Sequence, residues 1–306
     1  MTNLSRRTVL VGTAALTLTA ATAALSTGPV WAQVEGVSRQ KVGSFEVVAL
    51  LDGRIPLAPG VFSGASDEEI AKLIEGEAIN GYINAFVVTG PDGSVLVDAG
   101  AGALTGPTAG NLASLLASAN VDPSTITHFY ATHLHPDHIG GLVGDNAIAL
   151  PNAQMVVHEN ERAFWTSDDN MNGAGEGAAP FFQAARGALA AFGDRVTAFT
   201  GEDVPGPLSA TELFGHTPGH SGYRVADGDA QMLIWGDIIH APVLQFPRPE
   251  ITIAFDVDPA AAEATRKRVL DMVATDTIPV AGMHLEFPAI GTVTKSGDGY
   301  AFNTNA

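Results

Sequence analysis

The 306-residue chain contains no cysteine. That excludes disulfides, thiolate metal ligands and a cysteine nucleophile, so any metal must be held by His, Asp or Glu. Basic residues are also scarce, 15 Lys and Arg against 33 acidic residues, for a formal charge of −18. A surface of that sign repels phosphate backbones and anionic membranes, which argues against nucleic acid as a partner; solubility is the simpler use of the charge. No G-x-S-x-G turn occurs, so the common signature of a serine nucleophile is missing as well.

A long apolar run is lacking too. The best stretch, Val9 to Leu25, is rich in Ala and Thr and is followed by Gly28-Pro29; it falls short of the roughly 20 apolar residues a spanning helix needs. It follows Arg6-Arg7 and precedes a small-residue cleavage point after Ala32, the pattern of a twin-arginine export signal. The expectation is therefore a signal over residues 1–32 and one domain over 33–306, released into the periplasm or secreted. No stable membrane insertion is expected after cleavage. Such export would carry a folded protein with its metal already in place.

What the chain does have is ample core material, 46% hydrophobic residues. "FEVVALLDGRIPL" reads as two strands around a turn at Asp52-Gly53, and a helix capped by Ser66 or Asp67 follows. "INAFVVTGPDGSVLVDAG" reads as a hairpin. Helical spacing covers 108–119, and "ITHFYATH" is a strand that delivers His133 at its end. "QMVVHE" is a further strand. Helices are expected near 159–166, 181–192 and 259–274, with a Gly/Ala-rich insertion at 168–180. Apolar runs repeatedly end in His or Asp, no repeat or long linker appears, and the pattern predicts one α/β domain, two sheets sandwiched between helices.

The segment "THLHPDHIGG" sets His133, His135, Asp137 and His138 within six positions directly after a strand. Imidazoles and a carboxylate on a rigid base suit borderline divalent metals such as zinc. His220 in "GHTPGHSG", Asp237 in "WGDIIH" and His284 in "AGMHLEF" each end an apolar run among small residues, where a turn can bring the side chain inward. The seven groups are enough for two ions sharing one carboxylate. His128, His158, His216 and His240 fall outside this pattern and read as structural.

With Asp98 in "LVDAG", the loop "HLHPDH", then His220, Asp237 and His284 in order, the chain resembles the metallo-β-lactamase superfamily over essentially its whole mature length. The resemblance implies a metallo-β-lactamase-like αβ/βα sandwich, two mixed β-sheets flanked by helices. It implies His133, His135 and His220 on one metal, Asp137, His138 and His284 on the other, and Asp237 bridging. Asp98 would orient a ligand histidine without binding metal itself, as carboxylates beside metal-bound imidazoles do. The two ions, zinc first, with manganese, cobalt or iron also suited to the ligands, would generate a bridging hydroxide that attacks an electrophilic centre. Asp137 or Asp237 would shuttle the proton.

Within the superfamily, "GSFEVVALLDG", "VDAGAGALTGPTAGNLASLL", "AFW", "FFQAA" and "HTPGHSGY" are similar to the exported branch of methyl parathion hydrolases and N-acyl homoserine lactone hydrolases. By that likeness Trp165 and Phe181 would line an apolar pocket over the metals. Thr105 stands where organophosphate-degrading members carry an aromatic, which favours a lactone or carboxylic ester over a phosphotriester. The expected function is a lactonase opening N-acyl homoserine lactones; hydrolysis of a methyl parathion-type triester or an aryl ester is the alternative. The expected partner is a small molecule, and a homodimer is a family-based expectation.

Overall fold

Alternating residues of the same strand supply two different cores. In the computed structural model, which describes residues 35–304, Val95 and Val97 of one strand enter the core between the sheets while Leu96 faces the opposite side. This period of two, with both faces apolar, marks a sheet covered on both sides. The expected export signal lies outside the described residues.

The first half of the chain runs β1 (Val37–Val42), β2 (Phe45–Leu57), β3 (Phe62–Ser63), α1 (Asp67–Ile74), β4 (Ile79–Gly90), β5 (Gly93–Val97), α2 (Leu112–Ser118), β6 (Ile126–Tyr130), α3 (Pro136–Ile139) and β7 (Gln154–His158). Three helices follow, α4 (Glu159–Thr166), α5 (Asp168–Gly173) and α6 (Ala179–Phe192), before β8 (Val196–Phe199). The rest is β9 (Ser209–Glu212), β10 (Ser221–Asp227), β11 (Ala230–Ile234), α7 (Pro242–Gln245), β12 (Thr252–Ile253), α8 (Pro259–Thr275), β13 (Val280–Ala281), β14 (Ile290–Ser296) and β15 (Gly299–Thr304).

Seven strands form one mixed sheet in the order β1-β2-β4-β5-β6-β7-β8, and six form another in the order β15-β14-β13-β11-β10-β9. Val47, Phe86, Val97 and Tyr130 of the first sheet pack with Tyr223, Val225, Leu233 and Val280 of the second. Leu112 and Leu116 of α2 and Phe182, Ala185 and Ala188 of α6 cover the other face of the first sheet. Val269, Leu270 and Val273 of α8 join the core of the second. The expected sandwich of two mixed sheets between helices is thus the observed architecture. Among the described residues no helix is long and apolar enough to cross a membrane.

Two local expectations change. Asp52-Gly53 is not a turn between strands: β2 runs through it with a register shift between Leu51 and Gly53. A bulge there re-aims a side chain, and the buried Asp52 carboxylate accepts N–H bonds from Ala101 at 2.9 Å, Gly110 at 3.0 Å and Leu112 at 2.7 Å. It thereby ties down the loop that leaves β5. The segment at 168–180 is not a bare insertion, since it carries α5, capped by Ser167. The helix start at Ser66 holds, as a reciprocal cap in which Ser66 and Glu69 satisfy each other's backbone N–H.

Candidate metal centre

Strand ends aim the candidate ligands at one point. β6 runs into Thr132, β11 into Asp237, and β13 into the turn that carries His284. His135 is the residue before α3, whose Pro136 at the first position sets the helix start. That single turn carries Asp137 and His138. Gly236, at φ +59°, lets the chain turn inward before Asp237, and a Cβ there would lie 2.3 Å from the His220 ring.

Two loops are clamped by one carboxylate. Glu161 of α4 is fully buried and accepts from Leu134 N at 2.9 Å, Thr217 Oγ1 at 2.6 Å, Gly219 N at 3.0 Å and the Trp165 indole N–H. Gly219 is needed for this approach, because its Cβ would meet Glu161 backbone at 2.3 Å. The loop of His133–His138 and the loop of His216–His220 are therefore held in register by one side chain.

The ring nitrogens converge. His133 Nε2 and His216 Nε2 each lie 3.0 Å from His135 Nδ1. Asp237 Oδ2 lies 3.6 Å from His133 Nε2, 3.2 Å from His216 Nε2 and 3.2 Å from His284 Nε2, while Oδ1 is 3.3 Å from His138 Nε2. Asp137 Oδ2 stands 3.7 Å from His138 Nε2 and 3.6 Å from His284 Nε2. Among the described residues, groups with ligand atoms within 4.8 Å of one another include His133, His135, His216 and Asp237, and Asp137, His138 and His284; a third, Asp237, His240 and His284, overlaps them. Asp237 touches both of the first two.

The outer nitrogens explain why the inner ones fit a cation. His138 Nδ1 is 2.7 Å from Asp98 Oδ2, His216 Nδ1 2.8 Å from Asp256 Oδ1, and His284 Nδ1 2.6 Å from Tyr82 O. Thr132 gives its own hydroxyl proton to Asp98 at 2.7 Å and so offers a lone pair to His133 Nδ1 at 3.1 Å. Each neutral ring then donates outward and turns a bare lone pair inward. Converging lone pairs cannot satisfy one another. His138 Nε2 and Asp237 Oδ1 are buried with no hydrogen-bond partner at all, so a divalent cation at each of the first two groups is the partner these residues fit.

Charge points the same way. Burial would raise Asp237, yet His138, His284, His133 and His240 around it hold its carboxyl well below the usual range. Burial would lower His138, yet Asp237, Asp137 and Asp98 hold it well above the usual imidazole value. His216 is likewise carried against its burial to about 9 by Asp237 and Asp256. His133 and His135 stay well below, first through burial, then through neighbouring rings. The buried carboxylates demand positive charge, and cations in the cluster would take the place of these protons.

The structure corrects the ligand set at one position. His220 does not face the cluster: its Nδ1 donates to Leu213 O at 2.9 Å and its Nε2 accepts the Asp237 N–H at 2.9 Å. With both nitrogens bonded to backbone it has none to offer a metal, and His216 occupies the place expected of it. His133, His135, Asp137, His138, Asp237 and His284 come together as expected, and Asp98 sits behind His138. Asp256, Glu161 and His240 were missed. None has a distinctive sequence signal: Glu161 stands among Glu159 and Arg162, Asp256 two residues before Asp258, and His240 outside any ligand spacing.

Above the cluster opens a cleft of about 830 Å³ including its mouth. Ile55, Leu57, Leu104, Phe181, Ile253 and Phe255 make its apolar wall, with Thr105 beside them. Phe181 and Thr105 thus both line this cleft. Trp165 does not: it is 3% exposed and packs behind His135, ring centroids 5.3 Å apart, with its N–H on Glu161. Its indole needs a polar partner when buried, and that partner lies beneath the centre.

The family model of the metallo-beta-lactamase superfamily matches residues 78–284. No curated protein sequence matches the chain. Among solved structures, a hydrolase of the beta lactamase superfamily, AbOPH, superposes with a TM-score of 0.83 at 28% identity, covering 89% of this chain and 98% of that one. AidC, a dizinc quorum-quenching lactonase in complex with a product N-hexanoyl-L-homoserine, gives 0.82 at 24% identity over 89% and 98%. A quorum-quenching N-acyl homoserine lactone hydrolase gives 0.58 at 18% over 83% and 100%.

Proposed function

The chain belongs to the metallo-beta-lactamase superfamily, and from that premise we propose that it is a dinuclear-metal hydrolase of carboxylic esters whose substrates are N-acyl homoserine lactones. The observation that carries this reading is the convergence of inward lone pairs and Asp237 beneath an apolar cleft. Bound there, two divalent ions would supply a water-derived nucleophile at neutral pH and polarise the scissile carbonyl. His133, His135 and His216 would hold one, Asp137, His138 and His284 the other, with Asp237 shared.

The chain's own residues do the rest. Asp98 and Asp256 fix the rings they bond, so the donor set is arranged before substrate arrives. Asp137 borders both cluster and cleft. Its carboxylate is placed to take the proton of the attacking water and return it to the leaving alkoxide as the acyl C–O bond breaks. The apolar wall accepts an acyl chain and sheds water from it.

The lactone reading is favoured over a phosphotriester because Thr105, not an aromatic, forms that part of the wall. AidC, described as a lactonase, is similar over most of the chain and supports it. We read residues 1–32 as an export leader from the Arg6-Arg7 pair and the apolar run after it, which would direct the protein to the periplasm or beyond. The test is kcat/KM of the zinc-reconstituted protein without that leader on short- and long-chain acyl homoserine lactones, an aryl ester and methyl parathion in one buffer. Lactones should lead by orders of magnitude; dominance of methyl parathion would overturn the substrate assignment.

A further inference from the structure

His240 lies 4% exposed in the wall of the cleft, between the rings of His216 and His284. Neither ring nitrogen has a hydrogen-bond partner. Nε2 comes within 3.1 Å of Asp237 Oδ2, but at an angle that makes no hydrogen bond. The residue is nonetheless firmly placed: its backbone N–H donates to Gln245 Oε1 at 2.7 Å, and Gln245 Nε2 is in turn fixed on Ile251 O at 3.0 Å.

Two readings compete, and geometry separates them. A third possible ligand group joins Asp237, His240 and His284. But His133, His138, His216 and His284 each have an oxygen on the outer nitrogen, and a ligating imidazole almost always has one. His240 Nδ1 has none, so this ring lacks the support that four of the five ligand histidines have, His135 being the exception. A neutral imidazole carries one donor and one acceptor, and leaving them unpaired in a buried wall is unfavourable. The wall faces the place where substrate must sit, and Thr105 Oγ1, also on the cleft, is unpaired as well.

We propose that His240 is a substrate-contacting residue, one ring nitrogen donating a hydrogen bond to an oxygen of the scissile ester as negative charge gathers there. This rests on the ester-hydrolase reading above. It predicts that the residue matters for turnover and not for holding metal.

The test compares wild-type, H240F and H240Q proteins, each zinc-reconstituted, for metal per chain, thermal midpoint, and kcat and KM on the best ester substrate of the wild type. H240F should keep the wild-type metal content and a midpoint no lower than wild type, because an unpaired polar ring has been replaced by an apolar one of similar shape. Its kcat should fall roughly 10²–10³-fold, the cost of losing one donor to developing oxyanion charge. H240Q, which can still donate, should recover part of that loss, and it carries the comparison should H240F fail to fold. Loss of metal in both variants would make His240 a ligand, and unchanged kcat would make it inert wall. A wild type that prefers methyl parathion would sink the lactone assignment alone, because the same three proteins can be compared on the triester.

Discussion

Beneath the centre, nearly every polar atom is tied: Asp98 to Thr132 and His138, Asp256 to His216 and Ile253 N, Glu161 to four donors. Above it, facing the cleft, His240 and the Thr105 hydroxyl have no partner. The lower face is finished by folding. The upper face is left for something that arrives later, and real proteins depart from full polar satisfaction at such places. On the proposed reading, the difference separates residues that would hold metal from residues that would meet substrate.

The strongest way to break this division is at its boundary. Asp237 touches both ligand groups, so Asp237→Ala should lower bound metal from about two ions per chain to about one or none and abolish most turnover. His216→Ala should lose an ion as well, while a variant at His220 should disturb the turn before Asp237 with its donor set left in place. Metal analysis of purified proteins decides it. Two ions retained without Asp237 would remove the shared-carboxylate arrangement, and loss of metal through His220 but not His216 would restore the ligand set first expected.

A smaller effect sharpens the lower face. Asp98→Asn and Asp256→Asn keep the shape of the residues that orient His138 and His216 but weaken the acceptor. Each should cost roughly 10–100-fold in metal affinity while leaving the stoichiometry at saturating zinc unchanged. Competition with a chelator measures this. Equal affinity in the Asp256 variant would mean that the Asp256–His216 bond is packing alone.

Much of this division could be read from the chain, and the limits are physical. Strand ends at Tyr130, Ile234 and Ala281 announced His133, Asp237 and His284, because an apolar run that stops at a small residue and a polar one is a strand meeting a turn. The sandwich followed from runs apolar on both faces. His216 and His220 were indistinguishable, since both sit in one Gly- and Pro-containing loop and only three-dimensional partners show that His220 spends both nitrogens on backbone. Asp52 looked like a turn residue because Asp-Gly usually is one, but the β2 bulge makes it an anchor for a loop some fifty residues away in sequence. Asp256 and His240 have no local pattern at all. Their roles arise where the turn before α8 and the end of β11 come together.

The smallest effect tests the two aromatics that flank His135. Phe181 and Trp165 both pack edge-on against its ring, with centroids at 5.6 and 5.3 Å, yet only Phe181 reaches the cleft. Phe181→Ala should raise KM more for long acyl chains than for short ones, by roughly fourfold for each methylene that loses its contact at about 0.8 kcal/mol apiece. Trp165→Phe keeps the apolar ring but removes the N–H that Glu161 accepts. It should lower stability by about 1–3 kcal/mol and leave the ratio of KM values for long and short chains where it was. Chain-length series on both variants, with thermal melts, separate the two roles. A chain-length effect at Trp165 would mean that the region behind His135 opens to substrate, and a uniform effect at Phe181 would move the acyl chain to the opposite wall, toward Leu104 and Phe255.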